Sequence, residues 1–339
     1  MLTEEFDYLL PEGLIAQTPT LKRDGSKLMV INRENNRIDN CVFSDISNYL
    51  DENTVLVLNN TKVFNARLFG KKQTGATIEI FLLENIKESR WKCLAKPAKR
   101  LRPGDSIIFS DDVSAVVVEK TDFVILDFSF TGNFYTCLES IGTVPIPPYI
   151  QSENPNCLSE RYQTVYSKFT GSVAAPTAGL HFSTDLLHSL QQKGVALEYL
   201  TLHVGYGTFK PMDCDNIYEH NMHYETYTID DSLVQNIQQY KKQNKRIIAI
   251  GTTTARALES AFLNPNQPKT GTHQTNLFIA PGFTFNCIDG LVTNFHLPKS
   301  SLLVLVSAFS GLKLIKNAYN QAITQKYRFY SFGDAMLIL

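Results

Sequence analysis

Apolar and polar residues change their spacing several times along the chain. The apolar run "TVLVL" ends in "NNTKVFNARLFG", and short runs follow: "ATIEIFLLE", "RWKCLAKPA", "DSIIFS", "VSAVVVEK" and "DFVILDFSF", divided by Gly, Asp, Pro and Asn. Evenly spaced short strands with turn residues between them predict a small all-β barrel or sandwich. The Pro-rich "IGTVPIPPYIQSENPNC" cannot continue a sheet interior and reads as a stiff linker. Elsewhere strands and helices alternate. Ser183 or Thr184 caps a helix with Leu186, Leu187 and Leu190 on one face, Gly194 ends it, and a strand "VALEYLTLHV" follows. Leu233, Val234, Ile237 and Tyr240 mark the buried stripe of the next helix, and "RIIAI" is apolar throughout, as a strand covered on both faces must be.

This pattern predicts an α/β main domain with an inserted small antiparallel β-barrel domain. The main domain is expected over 1–62 and 148–339, and the barrel over 63–147. The 339 residues and 43% hydrophobic content suffice for a sizeable core. A net charge of −1 excludes polyanion binding by bulk charge, so nucleic-acid contact needs local basic patches. The six cysteines are scattered, with no CxxC, which fits a reducing compartment and disfavours zinc. The acidic N-terminus lacks the features of a signal peptide, and "SLLVLVSAFSG" is too short to span a bilayer. A cytoplasmic protein without membrane contact is expected.

Chemistry is concentrated in a few stretches. In "IIAIGTTTARALES" a buried strand ends in Gly251, and Thr252, Thr253 and Thr254 open a helix that carries Arg256. Such a terminus, at the carboxyl end of a strand, suits a phosphate or carboxylate. In "TLHVGYGTFKP" His203 is expected in a strand. Gly205 and Gly207 form either a bulge or turn, or a flat surface that a nucleoside can approach. "EHNMHYETY" holds His220, His223 and Glu225; on a helix the two histidines would share a face, but HExxH is absent. They are surface or capping residues, or His223 or Glu225 acts in acid/base chemistry. In "GLVTNFHLPKSSLLVL", Asn294 and His296 precede a core segment as turn formers or site residues. Asp334 in "YRFYSFGDAM" is a turn residue or receives a positive group. Lys96, Lys99, Arg100 and Arg102 form a basic patch beside an aromatic in the barrel, fit to follow a phosphate backbone. Lys241, Lys242, Lys245 and Arg246 form a second patch, more in keeping with a solvated helix face.

Together "NNTKVFNARLFGKK", "RYQTVY", "AAPTAGLHF", "TLHVGYGTF", "EHNMHYE", "IGTTTARALES", "LVTNFHLPKSSLLVLVSAFSG" and "YRFYSFGDAM" resemble, in the same order, the S-adenosylmethionine:tRNA ribosyltransferase-isomerases of queuosine synthesis. The resemblance spans almost the whole chain and is weakest in the barrel. It implies transfer and isomerisation of the ribosyl portion of S-adenosylmethionine onto 7-aminomethyl-7-deazaguanine in a tRNA anticodon. The products would be epoxyqueuosine-tRNA, adenine and methionine.

The implied reaction needs a base for the ribose C5′ proton, a proton donor for adenine and a neutral aminomethyl nitrogen. By the resemblance His181, His203, His223 and His296 are the acid/base candidates, with Glu225 and Asp334 behind them. Thr252, Thr253 and Arg256 would hold an anion, Gly205 and Gly207 the nucleoside, and Asn60, Arg161 and Gln163 polar parts of ligand or base. In "SVAAPTAGLHF", Ala178 and Gly179 would be small so that a nucleoside can reach the main chain. The resemblance implies S-adenosylmethionine as co-substrate, no permanently bound cofactor, no metal, tRNA as partner and a monomer. Two other classes stand beside it: a non-catalytic RNA-binding module, and a metal-dependent hydrolase using the histidine cluster.

Overall fold

The computed structural model describes residues 1–147, 149–150, 155–209 and 211–339, without the side chains of 155–157, 208 and 209. The main-domain boundary expected at residue 148 and the linker segment 151–154 lie outside the described residues. The first apolar runs form β1 (Lys27–Asn32), β2 (Arg37–Val42) and β3 (Thr54–Asn59), and β4 (Thr61–Val63) leads away from them. The alternating segment then folds as β5 (Arg67–Lys72), β6 (Thr77–Lys87), β7 (Arg90–Lys96), β8 (Ser106–Ile108), β9 (Ser114–Lys120) and β10 (Val124–Ser129). These six pair antiparallel in the order β5-β6-β7-β10-β9-β8, and Lys71↔Ile108 and Lys72↔Ile107 close the ring. Every second residue points inward, so Leu68, Ile80, Trp91, Val117 and Leu126 fill the barrel. Helix α1 (Phe134–Ile141), capped by Asn133, plugs it with Phe134 and Leu138, and β11 (Gly142–Thr143) returns along β5.

The chain resumes with α2 (Pro155–Arg161), β12 (Phe169–Ser172), α3 (Thr184–Gln192), β13 (Ala196–Leu202) and β14 (Glu225–Ile229). It ends with α4 (Asp231–Lys242), β15 (Arg246–Ile250), α5 (Thr252–Ala261), β16 (Gly271–Thr275), β17 (Gly290–Asn294), α6 (Ser301–Ser310), α7 (Leu312–Thr324) and β18 (Ala335–Ile338). One nine-stranded sheet results, ordered β16-β14-β13-β3-β15-β17-β18-β1-β2. Its centre, β13-β3-β15-β17, is parallel.

Both sheet faces are apolar. Val55, Val57, Ile247 and Ala249 face α4, α5, α6 and α7. Their neighbours Leu56, Leu58, Ile248 and Ile250 face α3 and the 3-10 segment Phe43–Tyr49. Ser183 caps α3, its Oγ accepting from Leu186 N–H. Among the described residues no single helix is long and apolar enough to cross a membrane; the run "SLLVLVSAFS" is α6, packed into the core.

Three local expectations change. His203 is not inside a strand: β13 ends at Leu202, and His203 continues past it with one N–H bond to Thr226 O. The "EHNMHYETY" stretch forms no helix; a 3-10 turn Ile217–Glu219 gives way to extended chain and β14. Three members of the second basic patch are tied to the fold: Lys241 donates to Asn286 O, Lys245 to Glu52 O, and Arg246 to Tyr49 O and Asp51.

Candidate active site

The carboxyl ends of β15 and β17 open into a cleft, at the place where α/β sheets commonly bind ligands. Gly251 makes the corner from β15 into α5 at φ +95°, a conformation open to glycine and strained for other residues. The turn presents Thr252 and Thr253 to the cleft at the α5 N-terminus, where backbone N–H groups and the helix dipole favour an anion. Thr254 is structural, its hydroxyl folding back 2.7 Å onto Ile250 O. The facing wall is Thr293, Asn294, Phe295 and His296, as the chain leaves β17. Residues 174–178 form a third wall, and Tyr149, Tyr162, Tyr330 and Ser331 close the side.

Three buried polar atoms of residues lining this cleft have no hydrogen-bond partner among the described residues, the Tyr162 hydroxyl, Thr253 Oγ1 and Asn294 Oδ1. Native proteins rarely leave such atoms unpaired, and an ordered water or a ligand usually completes them. His296 is held firmly. Its Nε2 lies 2.7 Å from Thr293 Oγ1, its N–H donates to the Tyr319 hydroxyl at 2.9 Å, and its carbonyl accepts from the Tyr8 hydroxyl. Burial pushes its pKa down to about 3, so the imidazole is neutral at physiological pH.

Beside the cleft, past Val204, lies a second polar group. Arg256 and Glu225 form a buried ion pair. Arg256 Nε also donates to Leu277 O at 3.1 Å, and Glu225 Oε1 accepts from Gly205 N–H at 3.2 Å. The His223 ring lies against Gly207, where a Cβ would collide with it. Gly207 is therefore small in this structure for a histidine. His203 packs over Gly171 in the same way, with Nδ1 2.8 Å from Thr61 Oγ1, and burial lowers its pKa. Tyr206 reaches across to Phe81 of β6, 5.5 Å between ring centres, so the 205–207 turn also meets the barrel.

A profile of the queuosine biosynthesis protein family matches residues 3–338. The chain belongs to that family. It is similar to the S-adenosylmethionine:tRNA ribosyltransferase-isomerase of Halothermothrix orenii, 48% identical over 343 residues covering 100% of both chains. It is also similar to the enzyme of that name from Heliobacterium modesticaldum, 47% identical over 339 residues covering 98% of both. The crystal structure of S-adenosylmethionine tRNA ribosyltransferase from Thermotoga maritima matches with 37% identity and a TM-score of 0.58, over 99% of this chain and 100% of that one.

In this queuosine biosynthesis protein the cleft gathers Ala178, Thr252, Thr253 and His296 from the residues expected at the site, with Gly205, Gly207, His203, His223, Glu225 and Arg256 beyond Val204. Others are placed elsewhere, with their side chains occupied. Both ring nitrogens of His181 are engaged, Nδ1 with Ser26 Oγ at 2.7 Å and Nε2 with Asn294 Nδ2 at 3.1 Å. Its ring stacks on Phe43, and burial together with the Arg328 charge pushes its pKa to about 3. Asp334 is a turn residue and arginine partner: its carboxylate accepts from Lys27 and Arg328 N–H groups and lies 3.7 Å from the Arg328 guanidinium. Asn60 accepts from Thr201 Oγ1, and Gln163 brackets the backbone of Val63 with its amide. Arg161 donates to the carbonyls of Thr20 and Leu21. At Gly179 the Tyr166 hydroxyl occupies the space of a Cβ.

Sequence reasoning missed Tyr149, Thr293 and Ser331. Tyr149 OH lies 2.5 Å from Ser331 Oγ, a contact made across 182 positions that no local pattern announces. It also missed Glu259, a fully buried carboxylate that accepts the N–H groups of Asn286, Cys287 and Ile288 and so fixes the approach to β17.

The buried His181 carries a pH signature. In the unfolded chain its imidazole titrates near 6.5, but in the folded chain near 3. Between these values the unfolded state holds more protons, so stability is full above about pH 6.5 and falls as pH drops. At pH 5 the loss from His181 is about 2 kcal/mol. His296, whose edge meets the cleft, contributes with the same sign. Urea unfolding at pH 7 and pH 5 checks this: His181→Gln is expected to lose about 2 kcal/mol less than the wild type between the two.

Proposed function

We propose that this chain is an S-adenosylmethionine:tRNA ribosyltransferase-isomerase. It moves the ribosyl portion of S-adenosylmethionine onto the aminomethyl nitrogen of 7-aminomethyl-7-deazaguanine in a tRNA anticodon, giving epoxyqueuosine-tRNA and releasing adenine and methionine. The observation that carries this reading is the cleft at the β15 and β17 ends, in a chain whose full-length relatives bear that name.

The methionyl carboxylate sits at the α5 N-terminus by Thr252 and Thr253, and the nucleoside lies along residues 174–178. These walls orient the reacting ribose, the part of catalysis that positioning supplies. His296 enters the reaction neutral, so it can take a proton but has none to give as an imidazolium. Protonation of the departing adenine then falls to the Val204 side, where His223 is exposed at the 205–207 turn. Glu225 and Arg256 hold that turn through Gly205 N–H.

The enzyme works as a cytoplasmic monomer with no resident cofactor. Among the described residues no group of three His, Cys, Asp or Glu is placed to hold a metal ion, so nothing here favours a metal-dependent hydrolase. Lys96, Lys99, Arg100 and Arg102 are exposed around the 3-10 turn Ala98–Arg100 and supply phosphate contacts to the tRNA. Lys99→Ala/Arg100→Ala is expected to weaken tRNA binding and to reduce its salt slope by about 1 to 2, with S-adenosylmethionine affinity unchanged. Filter binding across a salt series reads both.

The deciding assay incubates the enzyme with S-adenosylmethionine and tRNA bearing the deazaguanine precursor. Adenine release with a matching mass gain on the tRNA is expected. tRNA binding without adenine would instead identify an RNA-binding module.

A further inference from the structure

Asn294 ends β17, is buried, and meets the cleft with a side chain that can take only one orientation. Its Nδ2 lies 3.2 Å from Tyr330 O and 3.1 Å from His181 Nε2. A carbonyl oxygen only accepts, so the amide NH₂ must face it, and the amide cannot flip without setting two oxygens against each other. The second NH₂ hydrogen goes to His181 Nε2, which must therefore carry a lone pair. The His181 proton then sits on Nδ1 and is donated to Ser26 Oγ at 2.7 Å. Tyr330 reaches its position at φ +72°, a left-handed conformation that tyrosine adopts only under constraint. Ser26, His181 and Tyr330 thus leave Asn294 Oδ1 without a partner among the described residues, at the cleft.

The position of this acceptor narrows its ligand. Ile250 pairs with Val292 in the sheet and Gly251 N–H donates to Val292 O, so Asn294 stands beside the first turn of α5. Asn294, Thr252 and Thr253 line the same cleft. An α-amino acid carries its carboxylate and ammonium on one carbon, which suits an anion site and an oriented acceptor in one cleft. We propose that Asn294 Oδ1 receives the α-ammonium of the methionyl group of S-adenosylmethionine while the α5 N-terminus holds its carboxylate, and that His181 and Ser26 are positioning residues for that amide. This rests on the cleft being the S-adenosylmethionine site. It replaces a proton-transfer role for His181 with an orienting one.

The test compares two probes, S-adenosylmethionine itself and 5′-methylthioadenosine, which keeps the nucleoside and lacks the amino acid. Asn294→Leu is expected to weaken S-adenosylmethionine binding 10- to 100-fold and 5′-methylthioadenosine binding less than 3-fold, by calorimetry. Equal weakening of both would place Asn294 at the nucleoside and overturn the assignment, as would no change in either. A wild type that binds neither probe refutes the reading of the cleft instead, so the two failures are distinguishable. Should Asn294→Leu not fold, His181 carries the test. His181→Gln, whose amide oxygen can accept from Asn294, is expected to retain S-adenosylmethionine affinity within about 3-fold. His181→Leu, which cannot accept, is expected to lose 10-fold or more with 5′-methylthioadenosine binding little changed. Equal behaviour of these two variants contradicts the positioning role.

Discussion

Glu225→Ala is expected to destabilise the protein by about 3–5 kcal/mol, the range found when one partner of a buried ion pair is removed. The reason is the charge left behind. Arg256 is 4% exposed, so its guanidinium cannot recover in water what it loses from the carboxylate. Among the described residues Arg256 then keeps Leu277 O, a carbonyl on a single N–H. Gly205 N–H loses its acceptor at the same time, so the 205–207 turn loosens beside the cleft, where Tyr206 meets the barrel. Replacing both members, as Glu225→Leu/Arg256→Met, should recover much of the loss, because an apolar pair leaves no uncompensated charge. Urea denaturation of the two single variants and the double variant measures this. Single-variant losses below about 1 kcal/mol would show that the pair is solvated in solution.

Thr253→Val is expected to change stability and ligand affinity in opposite directions. Valine matches threonine in shape but has no hydroxyl. The Thr253 hydroxyl has no partner among the described residues, and an unmet buried polar atom costs about 1–3 kcal/mol. Its removal should therefore stabilise the free protein by about 1 kcal/mol. The same hydroxyl lines the cleft at the α5 N-terminus, where an anion would accept its hydrogen. Loss of that bond should weaken S-adenosylmethionine binding about 10- to 100-fold, since hydrogen bonds to charged groups are worth about 1.5–3 kcal/mol. A merely structural threonine would move both quantities together. Thermal unfolding without ligand and a binding titration separate the cases.

How much of this was legible in the sequence depends on how local the cause is. The barrel could be read because each strand carries its own alternation and its own turn residues. "RIIAIGTTT" announced a buried strand, a glycine corner and a helix start, and all three stand in the structure. The small residues of "AAPTAG" signalled close approach, but they divide between two causes. Residues 174–178 form a wall of the cleft, while Gly179 makes room for Tyr166. That division depends on a tyrosine folded against the stretch, and spacing does not encode it. His181 shows the same limit. A histidine close to small residues invites a catalytic reading, yet its surroundings are set by Ser26, Asn294 and Phe43, each more than a hundred positions away. The two glycines of "GYG" could be flagged but not explained, because the His223 ring that rests on Gly207 comes from a stretch that forms no helix.

The central claim is that S-adenosylmethionine occupies the cleft where β15 and β17 end. Amide hydrogen exchange with and without saturating S-adenosylmethionine tests it most directly. The structure predicts slower exchange at residues 174–178 and 251–254, the two backbone walls of the cleft, with the barrel strands unchanged. Protection of other segments, with these two unaffected by the bound ligand, would contradict it.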